Sequence, residues 1–379
     1  MSTQEFAYNF PAIHGVQAGR IFYITMVPLR IVDKIFGHAD DSDIPAELRA
    51  QRHINISRIP KIAQYITDNP TTYVLPSITA SIGGEHTFKR LAELPGSPFG
   101  TLTIDMDSPI LINDGQHRRA GIALAVKEAK AMQHEHISVV FYEDQGLKKS
   151  QQIFSDINQN AQKPTSSINH LFNHRDPINQ VVNKILKDWP ELSFRIEKEK
   201  GGTSGKTSKL FTLTAFRKAN ETLLNLKNKA WDDDETERRD QINELAEIAL
   251  QFWKAAFKTV YGWQLSLNDM TIAYQLREES VTGHVVFLDA LSRVGHTLMM
   301  EEHSKKTPSF KKLDCLKKMV HHRHDPLWEG RCVVLGRMQK TPDSIALTCN
   351  VLKKLMGYEL TLDEQHKEDA ASGKHNNMA

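Results

Sequence analysis

The stretch that constrains this chain most is a junction. Apolar PILI at 109–112 runs without a spacer into NDGQHRRAGIALA at 113–125. Aliphatic and β-branched residues lead out of a sheet. Asn113 and Asp114 suit a turn and a helix cap, and Gly115 supplies the backbone freedom of a sharp reversal. A helix is predicted to start at once. Its free N–H groups and the positive end of its dipole then face the turn, which makes a ready anion site. Gln116, His117, Arg118 and Arg119 fall on the first turn of that helix. Arginine grips phosphate through two bonds, and histidine donates or titrates there. Ala120, Gly121 and Ala123 are small, which allows the helix to pack closely on the sheet. Basic side chains at a helix start oppose the dipole, so this cluster implies an anionic partner. On that reading both arginines are dispensable for folding and needed for the ligand. The alternative is that they hold the fold through buried carboxylates.

The flanking sequence predicts the scaffold. Residues 20–36 read as a strand and a short helix, interrupted at Pro28. A helix is expected over 59–67, with Ser57 as its cap, Pro60 in its first turn and Asn69-Pro70 at its end. The alternating stretch 73–82 predicts a strand closed by Gly83-Gly84. Residues 101–113 predict two short strands around a turn at 107–109. A strand follows at 136–144, and a helix from about 146 ends near 158–160. This alternation gives an α/β layer architecture up to about residue 165. Apolar residues then recur at helical spacing over 168–189, 212–231, 241–263, 281–300 and 344–361. The expected organisation is an α/β domain over 1–165, a helical domain over 166–300 with a basic loop at 198–209, and a basic helical segment over 301–363. The polar tail, 364–379, is expected to be disordered.

Charge is unevenly placed although the net is only +2. Residues 145–230 hold 15 Lys or Arg against seven Asp or Glu, whereas 231–247 hold eight acids and two arginines. Residues 303–324 carry seven Lys or Arg, one Asp and four His. Such asymmetry marks a polyanion-binding face, and for either basic stretch alone a solvated helix face explains it as well. The candidate DNA contacts are Lys163, Lys198, Lys200, Lys206, Lys209, Arg217 and Lys218. GGTSGKT at 201–207 resembles a phosphate loop but is one residue short of the Walker spacing, and the RIEKEK before it is too charged for a buried strand. A mobile basic loop on a DNA backbone and a solvated linker are the two readings left.

Other constellations are weaker. HHRHDP at 321–326, near Cys315 and Cys332, lacks a CxxC or HExxH pattern, so no metal site is expected. Cys315, Cys332 and Cys349 are expected to be buried thiols. Trp253 and Trp263 are read as core. The chain is 40% hydrophobic. It has no run of 18 apolar residues, so no membrane span is expected. The first residues lack the pattern of a secretory signal, and three sparse cysteines fit a reducing, cytoplasmic setting.

The segment Asp114-Gly115-Gln116-His117-Arg118 resembles the signature of the DGQHR-domain family, which is similar to the ParB/sulfiredoxin superfamily. That resemblance implies a ParB/sulfiredoxin-like fold for the α/β domain. It also implies a nucleotide-phosphate turn at Asp114, Gly115, Gln116, His117, Arg118 and Arg119, with a matching amide from Asn158 or Asn160. Sulfiredoxins carry a cysteine before the His-Arg pair. Here Gln116 holds that place and cannot be a thiol nucleophile. FSDINQNAQKPTSSI (154–168), KTSKLFTLTAF (206–216) and WEGRCVVLGRM (328–338) together resemble the DndB family of bacterial DNA phosphorothioation systems. This implies a DNA-binding repressor of its own modification operon. Its partners would be promoter duplex, other phosphorothioation proteins and further copies of the chain. The same resemblance carries an alternative, an NTP-hydrolysing, DNA-nicking enzyme. ATP or another NTP with Mg2+ would be its cofactor, and Asp114, His117 and Arg118 would be the catalytic candidates. The turn shows no evident Mg2+-binding acid pair, although Asp105, Asp107 and Asp114 flank it.

Overall fold

The computed structural model describes residues 6–36, 55–91, 96–159, 163–203, 205–302 and 310–376. The chain divides into two compact units, Met1–Gln162 and Lys163–Ala379. Among the described residues no helix is long and apolar enough to cross a membrane.

The first unit is a seven-stranded sheet with helices. Its strands are β1 (Ala7–Gln17), β2 (Arg20–Pro28), β3 (Ile78–Ile82), β4 (His86–Arg90), β5 (Phe99–Asp105), β6 (Ile110–Asp114) and β7 (His136–Glu143), in the order β4-β5-β1-β2-β7-β3-β6. Every pairing is antiparallel except β3 with β7. The strands at the two ends of that order are tied by very short links, 83–85 between β3 and β4 and 106–109 between β5 and β6. The sheet must therefore coil until its ends meet. Gly83 N–H donates to Pro109 O (2.8 Å), and Asp105 N–H and Ser108 Oγ both donate to Glu85 O (3.1 and 3.0 Å). A Cβ on Gly84 would lie 2.4 Å from Ser108 Oγ, so only glycine permits this approach.

Alternation along the strands turns Phe10, Tyr23, Val27, Ile78, Leu102, Ile104, Ile112, Val139 and Phe141 inward. Onto them pack α1 (Leu29–Phe36), α2 (Ile59–Asp68) and α3 (Gln116–Glu128), with α4 (Leu147–Gln159) completing the unit. Gly121 meets α2 rather than the sheet, since a Cβ there would lie 2.4 Å from Ile62 Cγ2.

The structure corrects several expectations here. β1 and β4 are strands that the sequence reading left out. Residues 73–77 are not strand. Asn55, not Ser57, caps the turn that leads into α2, its Oδ1 accepting from Ser57 N–H (3.1 Å).

The second unit is mainly helical. It contains α5 (Ser166–Phe172), α6 (Pro177–Asp188), α7 (Pro190–Arg195), α8 (Leu213–Leu223), α9 (Glu235–Thr259), α10 (Trp263–Asn268), α11 (Ile272–Glu279), α12 (Val285–Glu302), α13 (Pro342–Leu355) and α14 (Leu362–Asn376). Two short strand pairs join them, β8 (Ile196–Glu197) with β9 (Phe211–Thr212) and β10 (Val333–Val334) with β11 (Arg337–Met338). One core runs through all of it and includes the fully buried Trp253, Trp263 and Trp328. Residues on both sides of position 300 therefore share a core that the sequence reading divided.

The helix expected over 168–189 is two helices. Asp176 Oδ1 accepts from Ile178 N–H (2.8 Å). The Asp176-Pro177 pair thus starts a new helix instead of continuing the old one. The tail expected to be disordered is helical to Asn376. Composition misses it because its partners lie at distant sequence positions: Lys353 on Glu364 (2.5 Å), and Arg331 (2.9 Å) and Lys354 (3.5 Å) on Glu368.

Candidate functional site

β6 ends at Asp114, Gly115 reverses the chain with φ +113°, and α3 begins at Gln116. A left-handed φ of this size needs glycine. A Cβ there would also press on Ile78 Cγ1 at 3.0 Å and Arg118 Nη2 at 3.2 Å. Neither Asn113 nor Asp114 caps the helix, contrary to expectation. Asn113 is buried and donates through Nδ2 to Ser81 Oγ (2.8 Å). Asp114 turns forward instead, and its Oδ2 accepts from Arg118 Nη2 (2.6 Å). No described side chain caps the first N–H groups of α3.

The basic residues of the first turn do not stand free, and this corrects the expectation drawn from the dipole. Arg118 Nη2 also donates to Ser77 O (3.0 Å), which pins the helix start to the segment entering β3. The arginine side chain is 19% exposed and its Nε is buried without a hydrogen-bond partner among the described residues. Arg119 is held more loosely. Its Nη1 donates to Phe36 O (3.2 Å) and lies 3.7 Å from Asp33 Oδ1, whose side chain is 53% exposed. The two arginines thus have counter-charges inside the protein, one close and one distant. Gln116 Nε2, the donor that phosphate would need, is engaged by Ile112 O (3.1 Å).

His117 accepts the backbone N–H of Asn55 at Nε2 (2.9 Å). That bond requires a lone pair on Nε2, so the proton sits on Nδ1. Burial lowers the imidazole pKa, and the Arg58 and Arg118 charges lower it further against the opposing pull of Asp114. Both effects favour the neutral ring over the imidazolium. The side chain of Asn158, near the end of α4, and the whole of Asn160 lie outside what the structure describes.

The second-unit candidates separate into engaged and exposed groups. Arg217 is engaged: its Nη2 reaches Asp176 Oδ2 (2.7 Å), its Nε reaches Asn179 Oδ1 (2.7 Å), and its side chain is 16% exposed. Its Nη1 lies 3.8 Å from a further carboxylate, Glu221 Oε2. Lys209 Nζ donates to Phe194 O (2.8 Å), and Lys198 Nζ to Ser193 Oγ (2.7 Å). Burial and the nearby Lys209 charge both lower the Lys198 pKa. Lys163, Lys200, Lys206 and Lys218 are exposed. The 201–207 loop leads into β9 and not into a helix, so it lacks the helix start of a phosphate loop. Its later part is also tied down. Arg277 donates to Lys209 O (2.6 Å), Thr207 O (2.7 Å) and Gly205 O (3.2 Å) and clamps it. Arg277 is not legible in the sequence, because a guanidinium on α11 that serves carbonyls about 70 positions away leaves no local signal. His321 stacks on Tyr261 at 3.4 Å, and among the described residues no group of His, Cys, Asp and Glu is placed to hold a metal.

A coiled α/β sheet bearing a strand–glycine–helix turn, followed in the chain by a helical unit with its own core, defines a two-unit protein. The family model DndB, described as DNA-sulfur modification-associated, matches residues 10–359, and the chain belongs to that family. Its setting is thus DNA sulfur modification. No curated protein and no solved structure matches the chain.

Proposed function

We propose that this chain is a DNA-binding repressor of a DNA phosphorothioation operon, with a ParB/sulfiredoxin-like first unit that takes phosphate at the turn 114–119. The observation that carries this reading is a surplus of donors at one place. Among the described residues no side chain caps the first N–H groups of α3, and the buried Arg118 Nε beside them lacks an acceptor. Donors of both kinds are satisfied by an oxyanion. Membership of a DNA-sulfur modification family supplies the polyanion. The exposed lysines 163, 200, 206 and 218 add sequence-independent phosphate contacts.

The enzymatic alternative needs His117 as a proton acceptor. Its Nε2 already accepts the Asn55 N–H, which argues for the binding role. An electrophoretic shift decides between the two readings, using the chain's own promoter and a random duplex, with and without NTP and Mg2+. Binding should favour the promoter and weaken with salt, each neutralised phosphate contributing about −0.9 to the slope of log K against log salt. Affinity that is flat in salt refutes the electrostatic part. Phosphate release in the same samples, or nicking of a circular plasmid that carries the promoter, establishes the enzyme instead.

A further inference from the structure

The last helix, α14, has no apolar face. Leu362 at its start is 80% exposed, and the described positions after it are charged, polar or alanine. A helix polar all round does not dock by burial. At 15 residues it is marginal on its own. Charge holds this one in place. Glu364 Oε1 lies 2.5 Å from Lys353 Nζ. Glu368 Oε2 lies 2.9 Å from Arg331 Nη2 and 3.5 Å from Lys354 Nζ. Glu368 is only 3% exposed, and the Arg331 and Lys353 side chains are 17% and 18% exposed. Asn350 Nδ2 adds a bond to Glu364 O (3.2 Å), and Lys367 pairs with Asp343 at the rim (2.8 Å). Packing around the helix is incomplete. A cavity of about 550 Å³, bordered by Arg331, Ser344, Leu347, Lys367 and Ala371, opens among α14, the start of α13 and the β10–β11 hairpin. The helix begins beyond residue 359, the last one matched by the family.

We infer that Arg331, Lys353 and Lys354 form a second polyanion site, made for the phosphates of a nucleic-acid strand, and that α14 covers it by placing Glu364 and Glu368 where phosphates would sit. The two carboxylates stand one helical turn apart, about 6 Å along the axis, a spacing close to that of neighbouring phosphates on a strand. Arginine binds carboxylate and phosphate with the same fork. A helix meant only as a permanent part of the core would dock through leucines, as α13 does with Leu347, Leu352 and Val351. A helix docked by ion pairs yields to a denser line of charge that offers the same cations more partners. Being tethered, α14 competes at a high effective concentration, so DNA must displace it before reaching Arg331.

This inference rests on the reading that the chain meets DNA, and the experiment separates the two. The full chain and its Glu364→Gln/Glu368→Gln variant are titrated with a random-sequence duplex over a range of salt. The variant should bind at least tenfold more tightly at low salt, with a slope steeper by about 1–3. Adding Arg331→Gln, Lys353→Gln and Lys354→Gln should remove the gain. A folded variant with no gain, or a gain that survives loss of the three cations, overturns the inference and leaves promoter binding by the first unit standing. Binding by the variant when the full chain binds no duplex supports this site and counts against the turn. Should the variant not fold, amide exchange on the unaltered chain decides. Residues 362–376 should lose protection when duplex is added, and unchanged protection with duplex bound overturns the inference.

Discussion

Replacing Arg118 by alanine tests whether the turn is built mainly for the fold or mainly for a ligand. From the dipole alone no loss of stability is expected, because basic groups at a helix start are unfavourable there. The structure gives a different magnitude. Arg118→Ala removes a charged hydrogen bond to Ser77 O (3.0 Å), a type worth about 1.5–3 kcal/mol. It also breaks the 2.6 Å pair with Asp114. The Asp114 side chain is 35% exposed, so solvent screening holds that pair to about 0.5 kcal/mol. The expected loss is about 2–3 kcal/mol, which in a unit of this size lowers Tm by roughly 5–10 °C. Arg119→Ala loses a 3.2 Å bond to Phe36 O and a 3.7 Å contact with an exposed Asp33. That loss is about 0.5–1 kcal/mol, a shift of about 1–4 °C. Calorimetry and promoter-shift titrations on both single variants make the comparison. Arg119→Ala should melt near the unaltered protein while binding DNA more weakly. If Arg118→Ala melts within about 1 °C of the unaltered protein, the bracing role assigned to it is refuted. If Arg119→Ala keeps full DNA affinity, that arginine is removed from the site.

Three further outcomes follow from the same geometry. Gly115 has a φ of +113°, so Gly115→Ala should cost about 1–3 kcal/mol; an unchanged Tm would refute the need for glycine there. His117 should titrate below its ordinary value of 6.5, because burial and the neighbouring arginines favour the neutral ring. Its contribution to stability is therefore complete above pH 6.5 and is lost as pH falls through the lower folded value; an NMR midpoint at or above the ordinary value would sink the assignment. Maleimide should label half-buried Cys315 in the native protein well before Cys332 and Cys349, whose thiols burial pushes up to about 11, since the thiolate is the reactive form. Rapid native labelling of either buried thiol would contradict the core described for the second unit.

The turn at 114–119 was legible because its backbone signals are local. A strand end, a glycine and a helix start lie within a few positions, and the Asp114–Arg118 pair spans a single helical turn. The helices of the second unit were legible for a similar reason, as apolar spacing reports a buried stripe directly. The sequence by itself therefore determined the class of each half, the position of the turn and the family resemblance.

Tertiary structure alone decided what the turn's side chains touch. Ser77, Asn55 and Asp33 reach it from 41, 62 and 86 positions away, and no periodicity encodes such pairings. The same holds for β1, whose partner β5 lies about 90 residues on, with Ala12 opposite Gly100. It holds for Arg277 on the 201–207 loop and for α14, where composition reads a polar tail and Arg331, Lys353 and Lys354 make a helix of it. Local sequence sets the conformations a segment can adopt. Charges and carbonyls brought together by the fold select among them, because a group taken out of water must find its partner wherever the chain has placed one.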